Sequence, residues 1–276
     1  MPQRCKRLRG GANRAIAAAS VTMEPADGFL VRPPRESPML LHRRSTRPVT
    51  LAVLALACGG GDSTSPVTYE PDIPTEWAAA VTNPLFPLAP GTVWQYRAET
   101  GEGMETTRTE VLSETRIISG VTATVVHDQV SLDGVLAEDT FDWYAQDGDG
   151  NVWYLGEDSK EIEDGHVVST EGSWEWGVDG ALPGVIMWAD PAAHMNEEYR
   201  QEYLKGVAED MAKVVALDES VEVPAGNYSG CLKTQEHTPL ESNSTEFKYY
   251  CDGVGTVLET NGSGGQRDEL QEVTGP

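Results

Sequence analysis

From about residue 80 onward, apolar and polar side chains alternate along the chain. In "TVWQYRAE" Trp94, Tyr96 and Ala98 share one parity, and Val93, Gln95 and Arg97 share the other. A period of two places these sets on opposite faces of a strand. "ESVEVPAG" and "EFKYY" alternate in the same way, "VTATVVHDQVSL" is rich in β-branched residues, and "DTFDWYAQ" and "NVWYLGE" are short aromatic runs. Turn-forming pairs separate them: Ser119-Gly120, Asp133-Gly134, Asp164-Gly165, Pro183-Gly184, Ala225-Gly226 and Asp252-Gly253. Many short strands with turn signals every ten or so residues predict an antiparallel all-β domain over residues 81–262. The polar residues 263–276 read as a disordered tail.

One stretch is ambiguous. In "NEEYRQEYLKGVAEDMAKVV" Tyr199, Tyr203, Val207, Met211 and Val215 recur every four residues. That spacing fits one helix face, but four is also a multiple of two and fits one strand face. Helix-forming Glu, Gln, Ala, Met and Lys argue for helix. Lys205-Gly206 in the middle argues for a turn between two strands, and a hairpin is the preferred reading.

The N-terminal quarter has a different character. Val49–Ala57 is a run of nine largely apolar residues, far short of the roughly 20 that a membrane-spanning helix needs. Arg43, Arg44 and Arg47 precede it, and it ends in Ala55-Leu56-Ala57 before Cys58. A basic start, a short apolar core and small residues before a cut are the parts of a signal peptide. The segment 39–57 resembles a bacterial lipoprotein signal, in which the cysteine after the cut is acylated. It has Ala55 where that pattern prefers Leu, and Leu56 where it prefers a smaller residue. Cys58 is thus the expected lipidation site, with palmitate-like acyl chains. The Gly- and Ser/Thr-rich residues 58–80 read as a flexible tether. Residues 1–38, basic and without apolar period, read as a mis-called or disordered leader.

Removing the leader changes the charge. The whole chain has 20 basic and 44 acidic residues, a formal net charge of −24. Residues 1–57 hold ten of the basic and three of the acidic ones, so the remainder stands at −31. Such a module repels nucleic acid and anionic headgroups, and no nucleic-acid partner is expected. Cysteine usage points to export. With Cys5 in the leader and Cys58 lipidated, Cys231 and Cys251 remain, and an oxidising compartment pairs them.

Candidate chemistry is sparse. Asp147, Asp149 and Asn151 alternate with glycines, and Asp158 stands where the last ligand of a calcium loop would be, so Ca²⁺ is the one cofactor considered. The sixth position is Val152, not the glycine such a loop needs, and a plain turn uses the same residue types. His127, His166, His194 and His237 form no local metal-binding unit, and no Gly-x-Ser-x-Gly element is present. No catalytic residue is therefore assigned. Trp143, Trp153, Trp174, Trp176 and Trp188 crowd one third of the domain. Such rings serve either as a core or as a platform facing an apolar or glycan ligand.

Taken in order, "PLAPGTVWQYR", "DWYAQDGDGNVWYLGE", "EGSWEWGVDGALPGVIMW", "YRQEY" and "KYYCDGVGTVLE" resemble a family of secreted bacterial lipoproteins with no assigned function. The opening Gly-x-x-Trp-x-Tyr and closing Gly-Val-Gly-x-Val are also similar to envelope carriers of the LolA/LolB type. That likeness implies one strongly curled antiparallel sheet, or half-open barrel, whose concave face holds an apolar ligand. The expected function is a non-catalytic lipoprotein of the cell envelope, at the outer membrane or extracellular face. It would be membrane-anchored by lipid and would bind an apolar or glycan ligand or an envelope protein. An exported hydrolase with a dispersed His/carboxylate site and a Ca²⁺-stabilised structural domain are the alternatives.

Overall fold

The computed structural model describes residues 69–241 and 244–275. The leader 1–38, the signal segment 39–57 and Cys58 lie outside the described residues. Among the described residues, fifteen strands form one antiparallel sheet: β1 (Val93–Thr100), β2 (Gly103–Ile118), β3 (Val121–Leu132), β4 (Val135–Gln146), β5 (Val152–Glu163), β6 (His166–Ser169), β7 (Trp174–Glu175), β8 (Leu182–Met187), β9 (Glu198–Arg200), β10 (Glu202–Tyr203), β11 (Met211–Val223), β12 (Gly226–His237), β13 (Glu246–Cys251), β14 (Gly255–Asn261) and β15 (Arg267–Thr274). Their spatial order is β10-β8-β5-β4-β3-β2-β1-β15-β14-β13-β12-β11-β9, with β6 and β7 added along β5. The only helical element among the described residues is a short 3-10 turn, Pro191–His194. The sheet is a nearly closed barrel with one unsealed seam, as the alternation and the family likeness predict.

Turn chemistry explains most of the hairpins. Asp133-Gly134 and Asp164-Gly165 both take two consecutive positive φ angles, 49° and 81° then 52° and 75°. This is the hairpin geometry whose twist matches that of the flanking strands. Pro183-Gly184 corrects the turn expected there. The pair lies inside β8, with Pro183 opposite Glu202 and Gly184 opposite Tyr154. A Cβ on Gly184 would collide with the backbone of Arg200 and Gln201, so the glycine permits a close backbone crossing.

That crossing draws the sheet's two ends together. Residues 198–203 run as one stretch: β9 pairs with β11, and β10 pairs with β8 on the opposite side. Between them Gln201 is fully buried, and its N–H donates to the Asp210 carbonyl at 2.9 Å. The ambiguous 196–215 segment is therefore a hairpin. Leu204 bridges Ala208 across its tip, and Met211 and Ala212 pair back onto Arg200 and Tyr199.

Two boundaries also change. Residues 263–276, expected to be a disordered tail, carry β15, which pairs with both β1 and β14 and buries Leu270 completely. Its buried members are Asp268 and Leu270, and the rest of the strand is polar apart from Val273, so composition hid it. Within the expected tether 58–80, residues 69–80 pack on the domain. Trp77 bridges Asp147, and its ring lies 6.2 Å from that of Trp153.

The core has two layers on the two faces of the sheet. Inside, Trp94, Tyr96, Tyr144, Tyr154, Leu232, Tyr250 and Leu270 fill one end of the lumen. The loop 81–88 caps that end: the Gly253 N–H donates to the Pro84 carbonyl at 2.8 Å, and Trp94 Nε1 donates to the Val254 carbonyl at 2.8 Å. Phe86 plugs it, its ring 5.2 Å from Tyr144 and 6.5 Å from Tyr250. Burial of a phenylalanine side chain contributes about 1.5–3 kcal/mol. Outside, Ile118, Val125, Trp143, Trp153, Leu155 and Val185 form a second cluster, against which Trp77 packs.

Candidate functional site

The lumen changes character along its length. Eleven acidic side chains are buried among the described residues, against one buried base, Lys248. Strand parity explains the placement. Asp142, Tyr144, Tyr154 and Glu157 face inward from paired positions on β4 and β5, and Glu246, Lys248 and Tyr250 face inward from β13. Burial pushes Asp142 well above the usual carboxylate range; the neighbouring Glu157 adds to the rise, and the Tyr154 hydroxyl, donating at 2.5 Å, opposes it. The hydroxyls of Tyr144 and Tyr154 are also raised, by burial first and by Asp142 second. Deeper still, Lys248 Nζ lies 2.7 Å from Glu236 Oε2 in a pair with no solvent exposure. Burial alone would raise Glu236. The Lys248 ammonium and hydrogen bonds from Lys248, Thr234 and Tyr250 outweigh it and hold the carboxyl below its ordinary value.

Toward the end opposite the Phe86 plug, the lumen opens into a cavity of about 580 Å³. It is ringed by the tips of the β1–β2, β3–β4, β5–β6 and β14–β15 hairpins. Glu246 and Glu259 face it from adjacent strands. Burial raises Glu246 well above the carboxylate range, and the nearby Glu259 carboxyl raises it further. The alternation in β13 and β14 carried this signal, since Glu246, Lys248 and Tyr250 share a parity. It could not be read because parity does not say which face turns inward.

The five tryptophans divide between surroundings. Trp143 and Trp153 belong to the outer cluster and Trp174 to the inner one, whereas Trp176 and Trp188 are half-buried and touch both. The Arg116 guanidinium stacks 4.0 Å from the centre of the Trp143 ring and bonds Glu175 at 2.5 Å. Trp153 and Trp188 also line a second cavity, of about 930 Å³, beneath the segment 69–76. Tyr199, Arg200, Asp149 and Asn151 contribute to its wall. There the Trp188 ring stacks on His194 with centroids 3.9 Å apart and meets Tyr199 edge-on at 5.3 Å. At its rim the Tyr69 hydroxyl donates to the Pro183 carbonyl at 3.0 Å, and burial pushes it up to about 12.

The calcium-like motif forms a turn between β4 and β5. Asp147 Oδ1 accepts from the N–H groups of Asp149 and Asn151 at 3.0 and 2.8 Å. Its Oδ2 accepts from Asn151 Nδ2 and Trp153 Nε1, both at 2.9 Å. Asn151 Oδ1 in turn accepts from the Ala189 N–H at 2.9 Å. Asp158 is not brought to this turn. It lies six residues along β5 from Val152, about 20 Å at strand rise, and its carboxylate meets Lys160 Nζ at 2.7 Å. Among the described residues no group of three or more His, Cys, Asp or Glu side chains has metal-holding geometry.

Cys231 and Cys251 form a disulfide between β12 and β13. His127, a candidate for a dispersed hydrolase site, faces Asp139 and Phe141. Its Nε2 lies 2.7 Å from Asp139 Oδ1, and its ring stacks on Phe141 at 4.3 Å. Glu209 instead accepts from the Gly206 N–H at 2.8 Å and pairs with Arg200 at 3.6 Å.

Neither a protein-family model nor a curated relative matches the chain. Among solved structures, the chain is similar to a candidate lipoprotein from Parabacteroides distasonis, with 12% sequence identity and a TM-score of 0.36. The likeness covers 69% of this chain and 98% of that one.

Proposed function

We propose that this protein is a non-catalytic, lipid-anchored binding protein of the cell envelope. It is moored through an acylated Cys58, and an apolar or glycan ligand seats in the aromatic cleft. The observation that carries the reading is the cleft of about 930 Å³. It joins the indoles of Trp153 and Trp188 and the Tyr199 ring to the polar groups of Asp149, Asn151 and Arg200. Flat apolar rings beside a few convergent polar groups are the means by which a concave site holds a sugar ring or a lipid tail. Export is supported by the Cys231–Cys251 disulfide, because such bonds persist in oxidising compartments. The membrane is the partner that the Cys58 signal implies, and an envelope protein could share the cleft's ligand.

Two measurements test this. Intact-mass analysis of the protein extracted from its native membrane should show Cys58 at the N-terminus carrying acyl mass. A retained leader without acyl mass overturns the anchor. Tryptophan fluorescence titrated with a panel of oligosaccharides and detergent-like lipids should saturate for at least one class. That response should disappear in Trp188→Ala while the fold remains. Identical titrations for wild type and Trp188→Ala overturn the cleft assignment.

A further inference from the structure

The aromatic cleft is roofed by residues 69–76, a strap fixed at both ends. At one end the Tyr69 hydroxyl donates to the Pro183 carbonyl at 3.0 Å, and its ring meets Tyr203 edge-on at 5.5 Å. At the other the Gly148 N–H donates to the Glu76 carbonyl at 3.0 Å, and Trp77 bridges Asp147. Beneath the strap, the hydrogen-bond donors of the wall are turned into the protein. Trp153 Nε1 and Asn151 Nδ2 both donate to Asp147 Oδ2 at 2.9 Å. The N–H groups of Asp149 and Asn151 donate to Asp147 Oδ1. Arg200 is the one cationic side chain among the described residues lining the cleft. One of its terminal nitrogens donates to the Glu209 carbonyl at 3.2 Å, the other meets the Glu209 carboxylate at 3.6 Å, and its guanidinium lies 4.6 Å from the centre of the Tyr203 ring.

The acceptors are placed the other way. Asp72, Glu76, Asp149 and Glu198 line the same cleft and are exposed; of these, Glu198 lies 3.5 Å from Lys213. An ionised carboxylate accepts hydrogen bonds and donates none. By themselves these four acids would be a solvated surface. Set around the rings of Trp153, Trp188 and Tyr199, they make a cleft that offers apolar faces and acceptors but few donors. That combination selects among ligands. A plain acyl chain has no donor, and it would strip water from the carboxylates without replacing it. An anionic sugar sets like charge against them. An uncharged sugar brings apolar ring faces to stack on indoles and hydroxyls that donate. Given that the aromatic cleft is a ligand site, we propose that its ligand is an uncharged glycan. It stacks on the tryptophans and donates hydroxyls to Asp149 and the neighbouring carboxylates. The same donor-poor wall rejects uronic and sulfated sugars.

The test is calorimetric titration of the full chain with three kinds of probe. The neutral sugars are cellohexaose, laminarihexaose and maltohexaose, the anionic sugar is hexagalacturonate, and the acyl probe is a nonionic dodecyl ether below its micellar concentration. At least one neutral sugar should bind saturably, hexagalacturonate should bind about tenfold more weakly or worse, and the dodecyl ether should not bind. Raising the salt should leave the neutral sugar unchanged and narrow its advantage over hexagalacturonate, because only the charged probe feels screening. Asp149→Asn, which alters an exposed side chain, should weaken the neutral sugar about tenfold and narrow the same gap. Hexagalacturonate or the dodecyl ether binding as tightly as the best neutral sugar, and losing that binding in Trp188→Ala, overturns the proposal while leaving the cleft a ligand site. So does wild-type affinity for the neutral sugar in Asp149→Asn. Failure of every probe to bind, or binding that Trp188→Ala leaves intact, instead overturns the cleft itself. The comparison of probes and salt on the unaltered protein needs no variant to fold.

Discussion

At one end of the lumen Phe86 sits among Tyr144, Tyr250 and Trp94 beneath a loop hydrogen-bonded in place. At the other end Glu246 and Glu259 are diagonal neighbours on adjacent strands, with no plug above them among the described residues. Both ends are made of the same sheet and the same alternation. The aromatic end is where burial returns free energy, since large rings leave water and Trp94, Tyr96 and Tyr154 donate to oxygens nearby. The acidic end is where burial costs free energy, since ionisable groups lose water and crowd against like charge.

The sharpest way to break this contrast is to damage the aromatic end. Phe86→Ala should lower unfolding stability by about 3–5 kcal/mol, read by urea denaturation, because the plug cannot be refilled from solvent. A change below about 1 kcal/mol would show that the loop 81–88 does not seal the core. Lys248→Ala tests the boundary between the ends. It leaves Glu236 buried without its cation and should cost about 3–5 kcal/mol, whereas replacing both partners with apolar residues should recover most of the loss.

Reduction, or Cys231→Ser with Cys251→Ser, comes next. The bond closes a loop of twenty residues, for which the chain-entropy relation gives about 3 kcal/mol. Melting with and without reductant measures it.

A smaller effect, opposite in sign, is expected at the mouth. Glu246 and Asp142 titrate above their unfolded values in the folded protein. Their contribution to stability is fully present below the ordinary carboxylate pKa of about 4 and is lost as pH rises through the raised folded values. Glu236 is held low, so its contribution is present above that ordinary pKa and is lost as pH falls through the lowered value. The melting temperature should therefore decline as pH rises from mildly acidic to neutral, and Glu246→Gln should flatten that decline and raise stability at neutral pH. A profile unchanged by the substitution would remove the strain assigned to the mouth. Smallest of all, Asp158→Asn breaks only a half-exposed pair with Lys160. It should shift stability by less than about 1 kcal/mol, with chelator changing nothing.

Legibility differed sharply between features. The hairpin at Lys205-Gly206 could be preferred over a helix because a mid-segment Gly breaks a helix and makes a turn. The pairing of Cys231 with Cys251 followed from cysteine arithmetic and compartment. Pro183-Gly184 misled, because the dipeptide that usually turns a chain here lets Gln201 cross β8 closely. The β15 strand was missed because Asp268 and Leu270 are the inward members of an otherwise charged run. The acidic mouth was missed for a related reason: Glu105 lies far in sequence from Glu246, Glu259 and Asp268, and only the sheet order gathers them.

The sequence by itself determined the class of local structure: period-two strands, two-residue turns, a pair of cysteines left to bond and a large excess of acid. These follow from backbone sterics and side-chain chemistry acting over a few neighbouring residues. Only the tertiary structure decided which face of each strand became the lumen, which end was plugged by Phe86, and which carboxylates met at the mouth. The physical reason is that a strand's two faces are equivalent until a sheet curls. The sign of that curl, and the crossing at Gly184 that draws its ends together, depend on contacts between residues far apart in the chain.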